Sequence, residues 1–372
     1  MPEIKVPFYG HVRQYHSIKK DIDDAILKVL ESGAYVMGPA LKQFETDLSK
    51  YFGTKYAVGL NSGTDAIWLV LMSLGIGKGD EVITTANTFF ATAEAIWIAG
   101  AKAVLVDCDP KTKNIDPAKA EAAITPKTKA IIPVHLYGLS ADMKAIGAIA
   151  KKHKLSVIED NAQSIDGHGP GWKQGEFSDA VCTSFIIQKN LGTFGDGGAV
   201  VTNNEKIDAD CRRLRNHGST VRSVHSMGYN SRLDDIHAAI LSVKLKHITK
   251  WTDRRREIAA RYTAGLKGCK SLSLPYEPEG YRHAYHLYVV ETPKRDEFEK
   301  FLVNAGVDAK LHYPIAIHQQ KGYPWGQDAE TKSVPNSEKN AAQCLSLPMF
   351  PELTNDEVDF AIDQCVKWDK AQ

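Results

Sequence analysis

Paired cysteines are missing from this chain. Its six, Cys108, Cys182, Cys211, Cys269, Cys344 and Cys365, are scattered, with no CxxC pair. Such spacing offers no metal site, and a disulfide framework is not expected at this size. A surplus of one charge is missing too. Lys and Arg number 46 against 45 Asp and Glu, a formal net charge of +1. No global field then draws in nucleic acid or an anionic membrane, and only a local basic pocket remains open. No apolar run approaches the ~18 residues of a membrane span. The opening MPEIKVPFYGHVRQY has no basic stretch followed by an apolar one, so a signal peptide is not expected. Repeats and low-complexity segments are also absent. These lacks lead to the expectation of a cytoplasmic, reduced protein. What the 372 residues do have is ordinary globular composition, 43% hydrophobic and 24% charged. That suits one large domain with a smaller one.

Apolar periodicity organises the chain. DIDDAILKVLESGAYVMGP predicts a helix from about Ile18 to Glu31, stopped at Gly33 and turned at Gly38-Pro39. PALKQFETDLSKYFG predicts a second helix. From Tyr56 strand and helix patterns alternate. YAVGL, EVITTA, KAVLVDCD, KAIIPVHL and LSVIED read as strands; TDAIWLVLMSLG, ATAEAIWIAG and ADMKAIGAIAKKH read as helices between them. Continuous apolar strands in this alternation imply an α/β fold, with a mostly parallel sheet covered by helices on both faces. AVCTSF and GGAVVTN read as two further strands. Near residue 250 the character changes. A charged helical run, WTDRRREIAARYTAGL, leads into a segment richer in Tyr, His and Pro. There HAYHLYVVETP reads as a strand and RDEFEKFLVNAG as a helix. The expected division is a large domain over 1–250, with an N-terminal helical arm, and a small α+β domain over 251–372.

Ligands of such sheets bind at the carboxyl ends of the strands. Three stretches fall there. NSGTD precedes a helix, where free amides and a hydroxyl make an anion site, although a plain Ser or Thr cap reads the same way. Asp160 ends LSVIED, as a helix-capping or cation-facing carboxylate would. Lys189 lies between AVCTSF and GGAVVTN. Packed among apolar neighbours, a lysine loses hydration and its pKa falls, and the neutral amine is a nucleophile toward aldehydes. A lysine whose head reaches solvent from the loop is the plainer reading of Lys189 alone. Taken together and in this order, the three fit pyridoxal 5'-phosphate (PLP). The lysine would hold the aldehyde as a Schiff base, the carboxylate would pair with the ring nitrogen, and helix-start amides would take the phosphate.

The stretches SGTDAI, GDEVITTANTFFATAEAI, TKAIIPVHLYG, VIEDNAQS, TSFIIQKNLGTFGDGGAVVTN and GYNSRLDDIHAAIL resemble the DegT/DnrJ/EryC1/StrS family of PLP-dependent sugar aminotransferases. The similarity runs from about Ser17 to Leu353. It implies the fold-type I, aspartate-aminotransferase-like fold. It also implies transfer of an amino group from L-glutamate to a keto sugar, expected to be nucleotide-linked. By this resemblance Lys189 carries PLP, Asp160 faces the pyridine nitrogen and Gln163 lies near the ring hydroxyl. Gly63, Thr64 and Asp65 form the phosphate turn, mainly through backbone N–H, and Ser184 adds a hydroxyl. Phe89 matches the aromatic that stacks on the ring, though an aromatic there also suits a core. Asn230 matches an asparagine contributed to the phosphate by a neighbouring subunit, which implies at least a homodimer with shared sites. His312 and Tyr313 match a pair near the sugar.

Two segments depart from the family pattern and bear on the substrate. Ile186 and Ile187 stand where relatives carry an aromatic or histidine and then proline. SIDGHGPGW replaces a run of small residues. Arg222, His225 and Arg232 are candidates for substrate phosphates, with plain solvated bases as the alternative. GYNSRLD, VHLYG and HYPIAIH lean toward C-3 amination of a dTDP-linked 3-keto-6-deoxyhexose. C-4 amination of a UDP- or GDP-linked 4-keto sugar is the alternative, together with cyclitol ketones. A regulator that binds PLP or a sugar nucleotide without catalysis also stays open. A histidine at the Lys189 position would indicate a dehydratase; the lysine favours aminotransfer.

Overall fold

Apolar runs of five residues, bounded by turns, become strands buried on both faces. The computed structural model describes residues 3–221, 223–322 and 329–372. The strands are β1 (Tyr56–Leu60), β2 (Glu81–Thr85), β3 (Lys102–Val106), β4 (Thr128–Ile132), β5 (Ser156–Asp160), β6 (Ala180–Ser184), β7 (Gly198–Thr202), β8 (Tyr288–Glu291), β9 (Ala329–Thr331) and β10 (Cys344–Leu347). Eight of them form one sheet in the order β1-β7-β6-β5-β4-β2-β3-β9. Within it β7 runs antiparallel to both neighbours, and the other pairings are parallel.

Alternation along each strand sorts side chains between two helical layers. Val82, Ala103, Leu105, Cys182 and Val200 pack with the helices Gly63–Ser73, Ala91–Ile98 and Glu205–Leu214. On the other face Ile83, Val104 and Val106 meet the helices Pro117–Ala122 and Met143–His153. Ala57, Val181 and Val201 meet Pro39–Phe52 and Asp235–Leu245 on that face. This is the α/β sandwich expected from the sequence.

The predicted strand KAIIPVHL stops early, at Ile132. Pro133 has no N–H to continue a ladder. Val134 makes only an isolated bridge to Asp160. The chain then turns through Leu136–Gly138, with Tyr137 at φ 60°.

The helix Ile248–Leu266 leads to a second core, built on the antiparallel pair β8 and β10 and the helices Arg295–Asn304 and Asn355–Lys370. The division near residue 250 stays our proposal, with two exchanges across it. Val6, from the N-terminus, joins the second core and bridges to Val307. The three residues of β9 extend the large sheet beside β3.

Because β7 alone is reversed, β1, β5 and β6 end, and β7 begins, along one edge of the sheet. Ser62-Gly63, Asp160, Ser184 and Gly198 therefore come together there.

Candidate active site

The helix after β1 starts on that edge. Ser62 caps it, its Oγ accepting from Asp65 N–H at 3.1 Å. The Asp65 carboxylate turns away and accepts from Trp68 Nε1 at 3.0 Å. Asp65 thus has both its amide and its side chain engaged, and it forms no part of the cavity wall. The open donors of this first turn are the Gly63 and Thr64 amides, which have no intrahelical acceptor. Close packing holds the turn in place. A Cβ on Gly63 would come within 2.7 Å of Ser184 Cβ, and one on Gly198 within 2.2 Å of the Ser62 carbonyl carbon. Only glycine lets these backbones meet, so the hydroxyl of Ser184 lies beside the helix start.

Asp160, at the end of β5, is buried. Its Oδ2 accepts from Thr92 Oγ1 at 2.8 Å and its Oδ1 from Ala162 N–H at 3.1 Å. Gln163 is buried beside it. Its Oε1 accepts from Tyr137 N–H at 2.7 Å, and its Nε2 donates to Tyr313 Oη at 3.1 Å.

Lys189 sits in a pinned loop. Phe185 N–H donates to Gly197 O at 2.7 Å, Thr193 N–H to Phe185 O at 2.8 Å, and Lys189 N–H to Ile186 O at 2.9 Å. The next residue, Asn190, donates to Ala284 O at 3.0 Å. The ammonium makes no ion pair or hydrogen bond among the described residues. Burial lowers its pKa to about 8, with the Asp160 charge partly opposing the shift. A substantial fraction of this amine is therefore neutral near pH 7 to 8.

Thr64, Asp160, Gln163, Ser184 and Lys189 line one cavity of about 360 Å³. Phe89 and Tyr313 close one wall, their rings 5.3 Å apart and tilted by 40°. Phe89 remains 52% exposed, so its ring is available to a ligand and is not core. Burial and the Asp160 charge raise the Tyr313 pKa, keeping it a neutral hydroxyl. His312 is also in the wall, its ring bonded to Ser346 Oγ at 3.0 Å. Burial, then Lys189 and Lys310, lower its pKa to about 4, so the ring is neutral. Ile186 and Ile187 line the cavity; the segment Ser164–Trp172 does not. Asn230 lies outside the wall, exposed on a loop whose backbone bridges to Asn216. His225 is exposed nearby, and Arg232 donates to Asn216 Oδ1 at 3.1 Å. Arg222 lies outside the described residues.

Three wall residues, His286, Arg255 and Glu352, and one residue behind the wall, Thr92, carried no signal in the sequence. Thr92 reaches Asp160 across 68 positions. His286 is held neutral, its pKa pushed well down by burial and by Lys189, and it pairs with Asn190 Oδ1 at 3.1 Å. Arg255 donates to the carbonyls of Met349 at 2.8 Å and Tyr285 at 3.2 Å, and its buried Nε has no partner among the described residues. Burial raises the pKa of Glu352, whose Oε2 is likewise unpartnered. Nothing in the local pattern around these four marks them, because their partners come from distant segments.

The residue set fits PLP. A cradle that any Cβ would fill, a free amine of lowered pKa, a buried carboxylate and an available aromatic face share one cavity.

The profile of the DegT/DnrJ/EryC1/StrS aminotransferase family matches residues 16–365. A pleiotropic regulatory protein of Geobacillus stearothermophilus is 45% identical, over 98% of this chain and 99% of its own. The dTDP-3-amino-3,4,6-trideoxy-alpha-D-glucose transaminase of Streptomyces venezuelae is 40% identical, over 98% of this chain and 96% of its own. The crystal structure of S. venezuelae DesV in complex with a ketimine intermediate superposes with a TM-score of 0.94 at 39% identity, covering 100% of this chain and 99% of that one.

Proposed function

The chain belongs to the DegT/DnrJ/EryC1/StrS aminotransferase family, and from that premise we propose that it moves the amino group of L-glutamate to C-3 of a dTDP-linked 3-keto-6-deoxyhexose. It is a PLP-dependent sugar aminotransferase. The observation that carries the residue assignment is the unpaired Lys189 amine of lowered pKa, in one cavity with the buried Asp160.

PLP, when bound, supplies an aldehyde that condenses with amines and a ring that takes up electrons. The Gly63 and Thr64 amides and the Ser184 hydroxyl would take the phosphate, with Asn230 arriving from a second copy. Asp160, fixed by Thr92 and the Ala162 amide, would keep the ring nitrogen protonated. Gln163 would meet the ring hydroxyl and Phe89 the ring face. Lys189 would take the α-proton of glutamate at its neutral Nζ and, in the second half-reaction, would return a proton to the sugar carbon that receives the amine. Glutamate leaves as 2-oxoglutarate, and the keto sugar receives the amine in the second half of a ping-pong cycle. Ile186, Ile187, His312 and Tyr313 border the space left for the sugar.

The C-3 assignment draws support from the S. venezuelae relative, whose name specifies a dTDP-3-amino sugar. Incubation with glutamate and a panel of keto sugar nucleotides, followed by mass spectrometry, tests it. The expected product carries an amine in place of the 3-keto oxygen, with one 2-oxoglutarate per turnover. Amination of UDP- or GDP-linked 4-keto sugars alone, or of cyclitol ketones alone, would replace this reading. The relative named as a regulatory protein favours a second reading, a regulator that binds PLP and a sugar nucleotide. Bleaching of the yellow holoenzyme by glutamate separates the two, since a pure binder needs no reactive amine.

A further inference from the structure

A second cavity, of about 450 Å³, backs onto the first. Leu287 belongs to both walls, and Tyr137 belongs to the second. Three lysines border this cavity, Lys111, Lys113 and Lys339, against one carboxylate, Glu291. Lys113 is spent on Glu291, at 2.6 Å, and on Pro110 O, at 2.7 Å. Lys111 and Lys339 have no carboxylate partner among the described residues. Lys111 instead lies over the Tyr276 ring, 5.8 Å from its centroid. The cavity therefore keeps two uncompensated positive charges beside a half-exposed aromatic face. His283, also in the wall, adds no charge, because burial lowers its pKa to about 3.

Asn340 supplies the second observation. It is buried in the wall, and its Nδ2 donates to Asn87 Oδ1 and to Tyr137 Oη, both at 2.9 Å. Its Oδ1 is buried with no partner among the described residues. A buried acceptor left open is costly, and because Oδ1 is sealed from the cavity as it stands, an occupant's donor would reach it as the Asn340 side chain turns. A hydroxyl group is such a donor. Anion-seeking lysines, an open acceptor and an apolar ring surface together describe a small phosphate ester with hydroxyls, and the volume suits one.

The wall is wired to the active site. Tyr137 Oη donates to His312 O at 2.6 Å, and Tyr137 N–H donates to Gln163 Oε1 at 2.7 Å. Leu287 N–H donates to Tyr137 O at 3.2 Å. An occupant that engages Asn340 thus pulls on a residue that touches both Gln163 and the His312-Tyr313 pair. We propose that this second cavity is an effector site for a sugar monophosphate, read by Lys111, Lys339 and Asn340 and transmitted to the catalytic cavity through Tyr137.

Calorimetric titration of the holoenzyme with α-D-glucose 1-phosphate tests it, with inorganic phosphate as the control anion. The Lys111→Glu/Lys339→Glu double variant reverses the charge on two exposed side chains that have no part in the catalytic cavity. Saturable binding of the ester is expected, with inorganic phosphate at least about tenfold weaker and the double variant weakened about tenfold or more. At saturation the rate of bleaching by glutamate should change at least about twofold in the wild type and not in the double variant. The absence of saturable binding up to ~10 mM, or equal affinity in the double variant, overturns the site. Equal affinity for inorganic phosphate overturns recognition of the sugar, and an unchanged bleaching rate at saturation overturns the coupling.

Discussion

At the scale of the residue, the burial that makes Lys189 reactive also burdens the fold. Its pKa falls from 10.5 to about 8 on folding without cofactor. Between those values the unfolded chain binds more protons than the folded one, so apoprotein stability rises with pH across that window. Below pH 8 the whole cost is present; it fades as pH climbs from 8 to 10.5 and is gone above that. Lys189→Met should therefore abolish turnover yet stabilise the apoprotein at pH 7 by about 1–3 kcal/mol, the lower figures allowing for access through the cavity. Urea denaturation at pH 7 and above pH 10.5 checks this, and a constant difference across pH would refute the desolvation argument. Asp160 poses the opposite case. Asp160→Asn keeps an amide oxygen that can still accept from Thr92 or from the Ala162 amide, so the fold and cofactor binding should persist. Turnover should fall by about a hundredfold or more, because a neutral amide cannot hold the ring nitrogen protonated. Steady-state kinetics on the yellow variant gives the answer, and near-normal kcat would remove the role.

At the scale of the element, one buried pair fixes where the strands deliver their residues. Glu159, next to Asp160 on β5, takes the His135 ring at 2.7 Å on Oε2, while its Oε1 accepts from Gly175 N–H at 2.8 Å and Ser178 Oγ at 2.5 Å. His135 Nδ1 accepts from Ala141 N–H at 3.1 Å, which leaves the proton on Nε2, facing Glu159. The carboxylate thereby ties the turn after β4, with Tyr137 on it, to the end of β5. Glu159→Ala should cost about 3 kcal/mol, since several buried donors lose their acceptor together. Glu159→Gln, which keeps one acceptor oxygen, should lose less, and chemical denaturation of both variants ranks them. The strands themselves were legible, because five-residue apolar runs such as YAVGL admit one burial pattern. Lys189 and Asp160 stood out in the local pattern as candidates, and Gln163 and Ser184 only through the family resemblance. The Tyr137 turn was not, since VHLYG reads as a continuing strand until Pro133 is given its missing donor. The three residues of β9 carry too little pattern to register. Thr92, Arg255 and Glu352 acquire their places only from contacts between distant segments. Asp65 shows the converse: the motif places it in the phosphate turn, and only the capping hydrogen bond from its amide to Ser62 shows that this donor is already taken.

At the scale of the whole molecule, the exposed position of Asn230 bears on how many copies would make one site. It lies outside the cavity of its own chain, on a segment where Val221, Val224, Met227 and Tyr229 are all exposed. Apolar side chains gathered on one loop are what an interface buries. In a two-fold dimer with shared sites, each site would join Lys189 of one copy to Asn230 of the other. Lys189→Ala subunits and Asn230→Ala subunits should each be impaired alone. Mixed one to one after reversible dissociation, half of the dimers would be hybrids, and each hybrid would hold one intact site and one doubly altered site. Recovery should therefore approach about a quarter of wild-type turnover, on top of whatever the Asn230→Ala protein retains by itself. If Asn230 acted within its own chain, no hybrid site would be intact and mixing would restore nothing. Assay of the mixture against the sum of the separate variants distinguishes the two arrangements directly.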